Sequence, residues 1–145
     1  MKWHHKQQAS AETVVQDYIA VYNTHDLDAS SKKIAPDIVI SSPLLAGVRG
    51  LDAHRKTNQQ FWKSMPDFQF KVVNIAANGD FVATELVGAG TSTGPTELPG
   101  RDPIPPTGRR VEFGLAGFFR VDSDGLIAEE RYYYDRMALL QQLNS

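Results

Sequence analysis

From residue 11 the apolar positions Val14, Tyr18 and Tyr22, with Val15 and Ile19 beside them, recur at four-residue spacing. That period places them on one stripe of an α-helix, and Ser10 just ahead can accept hydrogen bonds from its first free amides. After Asn23-Thr24-His25-Asp26 the pattern predicts a short helix running to Ile34, stopped by Pro36, and then a brief strand from Ile38 to Ile40. Asp52, shortly after Gly50, predicts the cap of a second long helix through His54, Phe61 and Trp62. Met65-Pro66-Asp67 ends it, because the residue before a proline is pushed out of helical geometry.

From Phe68 the period changes from about four to two. Two β-rich runs meet at Asn78-Gly79-Asp80, where Asn and Gly tolerate the positive φ of a tight turn, and the second run spans about Phe81 to Thr91. Residues 92 to 108 carry five prolines and three glycines, so a long ordered loop is expected, placed to act as a lid. Two further strands, Arg109 to Val121 and Leu126 to Tyr134, flank the turn Asp122-Ser123-Asp124-Gly125, and Asp135 then caps a short helix from Met137 to Leu143. Helices come first and the sheet afterwards. Strands joined by turns rather than helical crossovers imply a mainly antiparallel sheet, with the two long helices on one face.

In the strand from Arg109, Val111, Phe113, Leu115, Gly117 and Phe119 share the face expected to be enclosed. The other face holds Ala116 and Phe118 among polar residues, so a second copy of the chain is expected to cover it as a homodimer.

Composition narrows the classes. A length of 145 residues, 41% of them hydrophobic, fits one core, read as residues 11–145 behind a short flexible segment 1–10. With 15 basic and 17 acidic residues and no basic run, neither nucleic acid nor a membrane is an expected partner. The start of the chain has no apolar stretch, and no window approaches the roughly 20 apolar residues of a membrane span. The absence of cysteine removes disulfides, thiolate metal sites and a cysteine nucleophile together, and makes the cytoplasm the default. His4-His5 has no second ligand cluster, so no metal is expected. Gly88-Ala89-Gly90-Thr91-Ser92-Thr93-Gly94 lacks the spacing of a nucleotide loop and leads into prolines rather than a helix, and no Gly-x-Ser-x-Gly nucleophile elbow occurs.

Several segments in order carry a resemblance: Met65-Pro66-Asp67-Phe68, Pro105-Pro106-Thr107-Gly108-Arg109-Arg110, Asp124-Gly125-Leu126-Ile127, and Tyr134-Asp135 leading into Leu139-Leu140-Gln141-Gln142-Leu143. Together they resemble the SnoaL-like polyketide cyclases of the nuclear transport factor 2-like superfamily, over about Thr13 to Leu143. The resemblance implies an α+β fold in which a curved, mainly antiparallel sheet wraps around N-terminal helices to leave a conical pocket. It also implies chemistry without a cofactor, in which a carbon beside a carbonyl is deprotonated and a ring closes. Carried over by position, the pocket maps onto Tyr22, Thr57, Gly117 and Tyr132. The cyclases place an aspartate acid/base where this chain has Tyr132, and a supporting histidine where it has Gly117.

If Tyr132 faces the pocket, strand alternation brings Ala128, Glu130 and Tyr134 there too. Glu130 is then the candidate base, since a carboxylate among aromatic rings has its charged form disfavoured. The competing reading pairs Glu130 with Arg131 or Arg120 at the rim. Tyr22 and Tyr132 can donate hydrogen bonds to a developing enolate oxygen, or simply pack in the core. His54, in the first turn of its helix, could act as acid or base or sit at the surface. Glu85, mid-strand, borders the substrate only if its face is internal. Tyr18, Phe61, Phe113, Leu115 and Phe119 complete the expected lining, and Asp135 is explained by capping. Three functions stay open: a cofactor-independent cyclase, isomerase or dehydratase acting on a small apolar carbonyl compound; a non-catalytic ligand-binding or accessory domain; and an epoxide-opening hydrolase, which would need two pocket aspartates.

Overall fold

The computed structural model describes residues 9–144, apart from the Ala46 side chain. His4-His5 and most of the expected N-terminal segment lie outside the described residues. Helix α1 (Ala11–Tyr22) starts at Ser10, whose hydroxyl accepts from the Thr13 amide, and buries Val15, Tyr18, Ile19 and Tyr22 of the stripe read from the sequence, with Val14 half-buried at its edge. Helix α2 (Leu27–Ser31) is capped by Asp26 and ends earlier than expected.

Ile34 instead opens β1 (Ile34–Ser42), and Pro36 lies inside that strand rather than behind a helix. The ladder to β6 (Ile127–Tyr133) is irregular between Ile34 and Val39. Pro36, exposed in that irregular stretch, sits where its missing N–H interrupts no regular pairing. Strand β2 (Leu45–Arg49) was not anticipated; it returns along β1 through a turn in which the Ser42 hydroxyl accepts from the Leu44 and Leu45 amides. Two strands therefore precede the second long helix, and the order is not helices first.

Helix α3 (Leu51–Ser64) corrects a second expectation. Its N-cap is Gly50 at φ +90°, a conformation that favours glycine, and no side chain caps it. Asp52 lies inside the first turn, where its charge meets the positive end of the helix dipole.

The hairpin of β3 (Gln69–Asn78) and β4 (Phe81–Thr91) turns at Gly79-Asp80 as read, with Asn78 opposite Phe81. Residues 92–108 are anchored rather than free of pairing: Thr96 and Ile104 form a bridge, and Leu98 and Ile104 are buried in the core. Strand β5 (Arg110–Val121) pairs with β4 and β6, and Asp135 caps α4 (Arg136–Asn144) by accepting from the Ala138 amide.

The sheet order is β2-β1-β6-β5-β4-β3, antiparallel except where β1 runs parallel to β6. Helices α1 and α3 pack on its concave face, so the fold is the expected α+β half-cone. On the outer face Phe81, Phe118 and Tyr133 form a row of rings, Phe81 and Tyr133 remaining exposed in the chain by itself. Among the described residues no helix is long and apolar enough to cross a membrane.

Candidate active site

The three chain segments that meet inside the cone are helix α1, helix α3 and strand β6. Alternation along β6 turns Ala128, Glu130 and Tyr132 inward, as read, while Glu129 and Arg131 point out. Glu130 is 1% exposed, and the rim pairing belongs to its neighbour: Arg131 Nε lies 2.9 Å from Glu129 Oε1 and Arg120 Nε 3.8 Å from Glu129 Oε2. The Arg131 contact is an ion pair without good hydrogen-bond geometry.

A buried carboxylate must be neutralised or hydrogen-bonded. Glu130 is met by three groups. The His54 imidazole, 1% exposed, donates from Nε2 to Oε1 over 3.1 Å. The Tyr132 hydroxyl donates to Oε2 over 2.9 Å. The Tyr18 phenol, on α1, borders both this carboxylate and the Asn58 amide. One helical turn beyond His54, Asn58 reaches His54 Nδ1 at 3.5 Å. The atom that faces it is the Asn58 Nδ2, which donates to the Nδ1 of a ring carrying its proton on Nε2.

The electrostatics follow from this packing. Burial acts to lower the pKa of His54, but the charge of Glu130 and the hydrogen bond to it outweigh burial and raise it. Burial, reinforced by the Glu130 charge, holds the phenols of Tyr18, Tyr22 and Tyr132 far above the usual tyrosine value. Burial also raises Tyr134. The tyrosines therefore stay protonated at any physiological pH and act as neutral hydrogen-bonding groups, not as bases.

The cluster opens into a cavity of about 160 Å³. Glu130, Tyr132, Tyr22 and Asn58 line it together with aromatic and aliphatic side chains such as Phe61, Phe68, Phe70, Phe113 and Leu115, which make the lining mainly apolar. Loop residues Glu97, Leu98 and Pro99 border it, with Leu44 and Leu45 from the β1–β2 turn. Of the residues named from the sequence, Tyr22, Thr57, Phe61, Phe113, Leu115 and Tyr134 line the cavity with Glu130 and Tyr132. The Thr57 hydroxyl, however, is used within its helix, donating to the Ala53 carbonyl.

Other expected lining residues lie elsewhere. His54 and Tyr18 stand behind the carboxylate, and Phe119 packs edge-on to Tyr18 and Tyr132 from within the core. Glu85 is a clear correction: it lies on the outer face of β4, exposed, and accepts from the Asn74 amide over 2.7 Å. Its face is external because the buried residues of that strand are those of the opposite face, Val82, Thr84, Leu86, Gly88 and Gly90.

Gly117 is not a lining residue but makes one possible. It lies opposite Tyr132 in the β5–β6 ladder, and a Cβ there would stand 2.8 Å from Thr84 Oγ1 and 3.2 Å from Tyr132 Cε1. The Tyr132 ring thus occupies the space that a side chain at 117 would need, which ties together the two departures from the cyclase pattern. Sequence reasoning missed Asn58, Phe68, Phe70 and Leu98; the spacing of His54 and Asn58 on one helix face was the signal available for the first.

Comparisons with known proteins agree with this geometry. The sequence profile of the SnoaL-like polyketide cyclases matches residues 12–143. Among solved structures, IdmH from Streptomyces antibioticus, a candidate polyketide cyclase, is 30% identical over 97% of this chain and all of its own, with a TM-score of 0.74. AclR from Streptomyces galilaeus, a candidate hydroxylase, is 30% identical over 92% of this chain and 80% of its own, at 0.75. An LEH-like epoxide hydrolase of Mycobacterium tuberculosis, 23% identical over 92% of this chain and 89% of its own at a TM-score of 0.72, shares the fold. The search of curated proteins found no match. With the half-cone, the cavity and a profile match over nearly its whole length, the chain belongs to the SnoaL-like polyketide cyclase family.

Proposed function

We propose that the protein is a cofactor-independent enzyme that moves a proton on a small, largely apolar carbonyl compound, as a cyclase, isomerase or dehydratase. The observation that carries this reading is the buried Glu130 carboxylate in the wall of a mainly apolar cavity, held by His54 and Tyr132. In the proposed step a Glu130 oxygen takes a proton from the carbon beside the carbonyl. The electron pair moves onto the carbonyl oxygen, and the neutral Tyr22 phenol donates to it as its charge grows, joined by Tyr132 as its one hydroxyl proton turns from the now protonated Glu130 to the new oxyanion. His54 keeps the carboxylate oriented and offsets its charge. The apolar surroundings keep water from competing for the proton.

The test is Glu130→Gln with a substrate found by screening. Turnover should fall by about 10²–10⁴-fold, the usual worth of a positioned acid or base. The fold, followed by circular dichroism, should persist. Tyr132→Phe should cost less, since Tyr22 remains. Unchanged turnover in Glu130→Gln removes Glu130 from the mechanism.

One observation favours a second reading, a ligand-binding domain without catalysis: both Glu130 oxygens already accept hydrogen bonds within the protein. Ligand bound without product after prolonged incubation would select it. An epoxide-opening reaction ranks below both, because among the described residues no aspartate lines the cavity. A homodimer joined across the ring row of the outer face, in a cytoplasmic setting, completes the proposal, and sedimentation velocity tests the dimer.

A further inference from the structure

The size and rigidity of the cavity set a limit on what can enter it. A volume of about 160 Å³ is close to the roughly 150 Å³ of an engineered apolar cavity that accepts benzene, and well below the roughly 300–1,000 Å³ of pockets for larger ligands. A small cavity could still grow if its side chains swung away. Here they are locked against one another and against backbone.

Phe68 meets Phe61 edge-on at 4.6 Å and Phe70 at 4.9 Å between ring centroids. Phe113 leans on Phe68 at 6.2 Å and on Tyr134 at 5.4 Å. Phe68 also lies directly on the backbone of β4: a Cβ at Gly88 would stand 2.7 Å from its Cζ and 3.3 Å from that of Phe113. A ring pressed onto a glycine of a central strand has no direction in which to retreat, and displacing one member breaks the contacts of its neighbours. At the loop side Leu98 is buried in the core and is held by the Thr96–Ile104 bridge and by Ser64, whose hydroxyl meets that of Thr96 at 2.9 Å. Glu130, hydrogen-bonded by Tyr132, gives the mainly apolar lining a buried charged group, so the occupant should carry a polar atom beside it and hydrocarbon against the rings.

We propose that the cavity takes a single-ring carbonyl compound, its oxygen at the Tyr22–Tyr132–Glu130 end and its hydrocarbon ring against Phe68 and Phe113, and that Phe113 and Leu98 exclude a second fused ring. This rests on the proton-transfer reading for the placement of the oxygen, but the size limit is a property of binding alone.

The experiment is a ligand-observed NMR titration of the full chain with three ketones of increasing size: cyclohexenone, 1-tetralone and anthrone. Hydrophobicity favours the larger members, so binding by area alone would strengthen along the series. The size limit inverts that order: cyclohexenone binds, 1-tetralone binds at least tenfold more weakly, and anthrone does not bind. Leu98→Ala and Phe113→Ala should each shift the ratio of 1-tetralone to cyclohexenone affinity toward 1-tetralone by at least tenfold. If Phe113→Ala does not fold, Leu98→Ala carries the comparison. Binding of 1-tetralone or anthrone by the unmodified protein as tightly as cyclohexenone overturns the proposal, as does a failure of cyclohexenone to bind at all. Cyclohexenone bound but unchanged on long incubation would count against proton transfer and leave the size limit standing. Glu130-dependent turnover of a fused-ring ketone would do the reverse.

Discussion

Replacing His54 by leucine tests whether the Glu130 charge is supported as described. Both partners are almost fully enclosed, with side-chain exposures of 1% and 2% at an N–O distance of 3.1 Å. Removing one member of such a pair leaves an uncompensated buried charge, at a cost of about 3–5 kcal/mol. Leucine fills a similar volume, so little of that cost is cavity. Against a typical total of about 5–15 kcal/mol the loss is large, and at roughly 2–4 °C per kcal/mol for a chain of this size it lowers Tm by about 6–20 °C. The sign of the pH dependence follows from the raised pKa of His54. In the window between its unfolded value, about 6.5, and its higher folded value, the native state binds more protons than the unfolded one, so stability falls as pH rises. The His54 contribution is fully present below that window and is lost as pH climbs through the folded pKa. Urea unfolding of the parent, His54→Leu, Glu130→Leu and the double variant between pH 5 and 9 measures both effects. The double variant should cost less than the sum of the singles, since it removes both charges. A single-variant cost under about 1 kcal/mol, the worth of an ordinary hydrogen bond, or parallel pH curves for parent and variant, would refute the account.

Gly117→Ala forces a Cβ to 2.8 Å from Thr84 Oγ1 and 3.2 Å from Tyr132; a destabilisation of about 1–3 kcal/mol by overpacking is expected in urea. Asp135→Ala removes the acceptor of the Ala138 amide and should cost about 1 kcal/mol, read as a shift in the denaturation midpoint. Glu85→Gln, on the outer face, should leave turnover unchanged in the assay in which Glu130→Gln lowers it.

The parts of the fold that were legible in the sequence are those fixed by local chemistry: the α1 stripe, the Gly79 hairpin and the Asp135 cap. The inward set of β6 was legible for the same reason, because period-two alternation needs only one residue to be placed. The errors come from tertiary context. Pro36 reads as a helix stop, yet a break in pairing lets a strand contain it. Strand β2 is short and gains its order from β1. His54 and Glu130 are 76 residues apart, and nothing local says that an imidazole and a carboxylate will meet inside. Glu85 was ambiguous because both faces of β4 carry small and apolar residues, and only the packing helices decide which is inner.

The parallel contact of β1 with β6 has a consequence in time. Ile34 meets Ile127 across about ninety residues of chain, and loops of that length close slowly compared with the hairpins between them. The aromatic surroundings, drawn mostly from α3 to β5, can assemble early, whereas the carboxylate arrives only when β6 slots between its two neighbours. Refolding of a Trp3→Phe variant followed by Trp62 fluorescence should therefore run ahead of protection of the Glu130 cluster, which is the last part of the molecule to come into being.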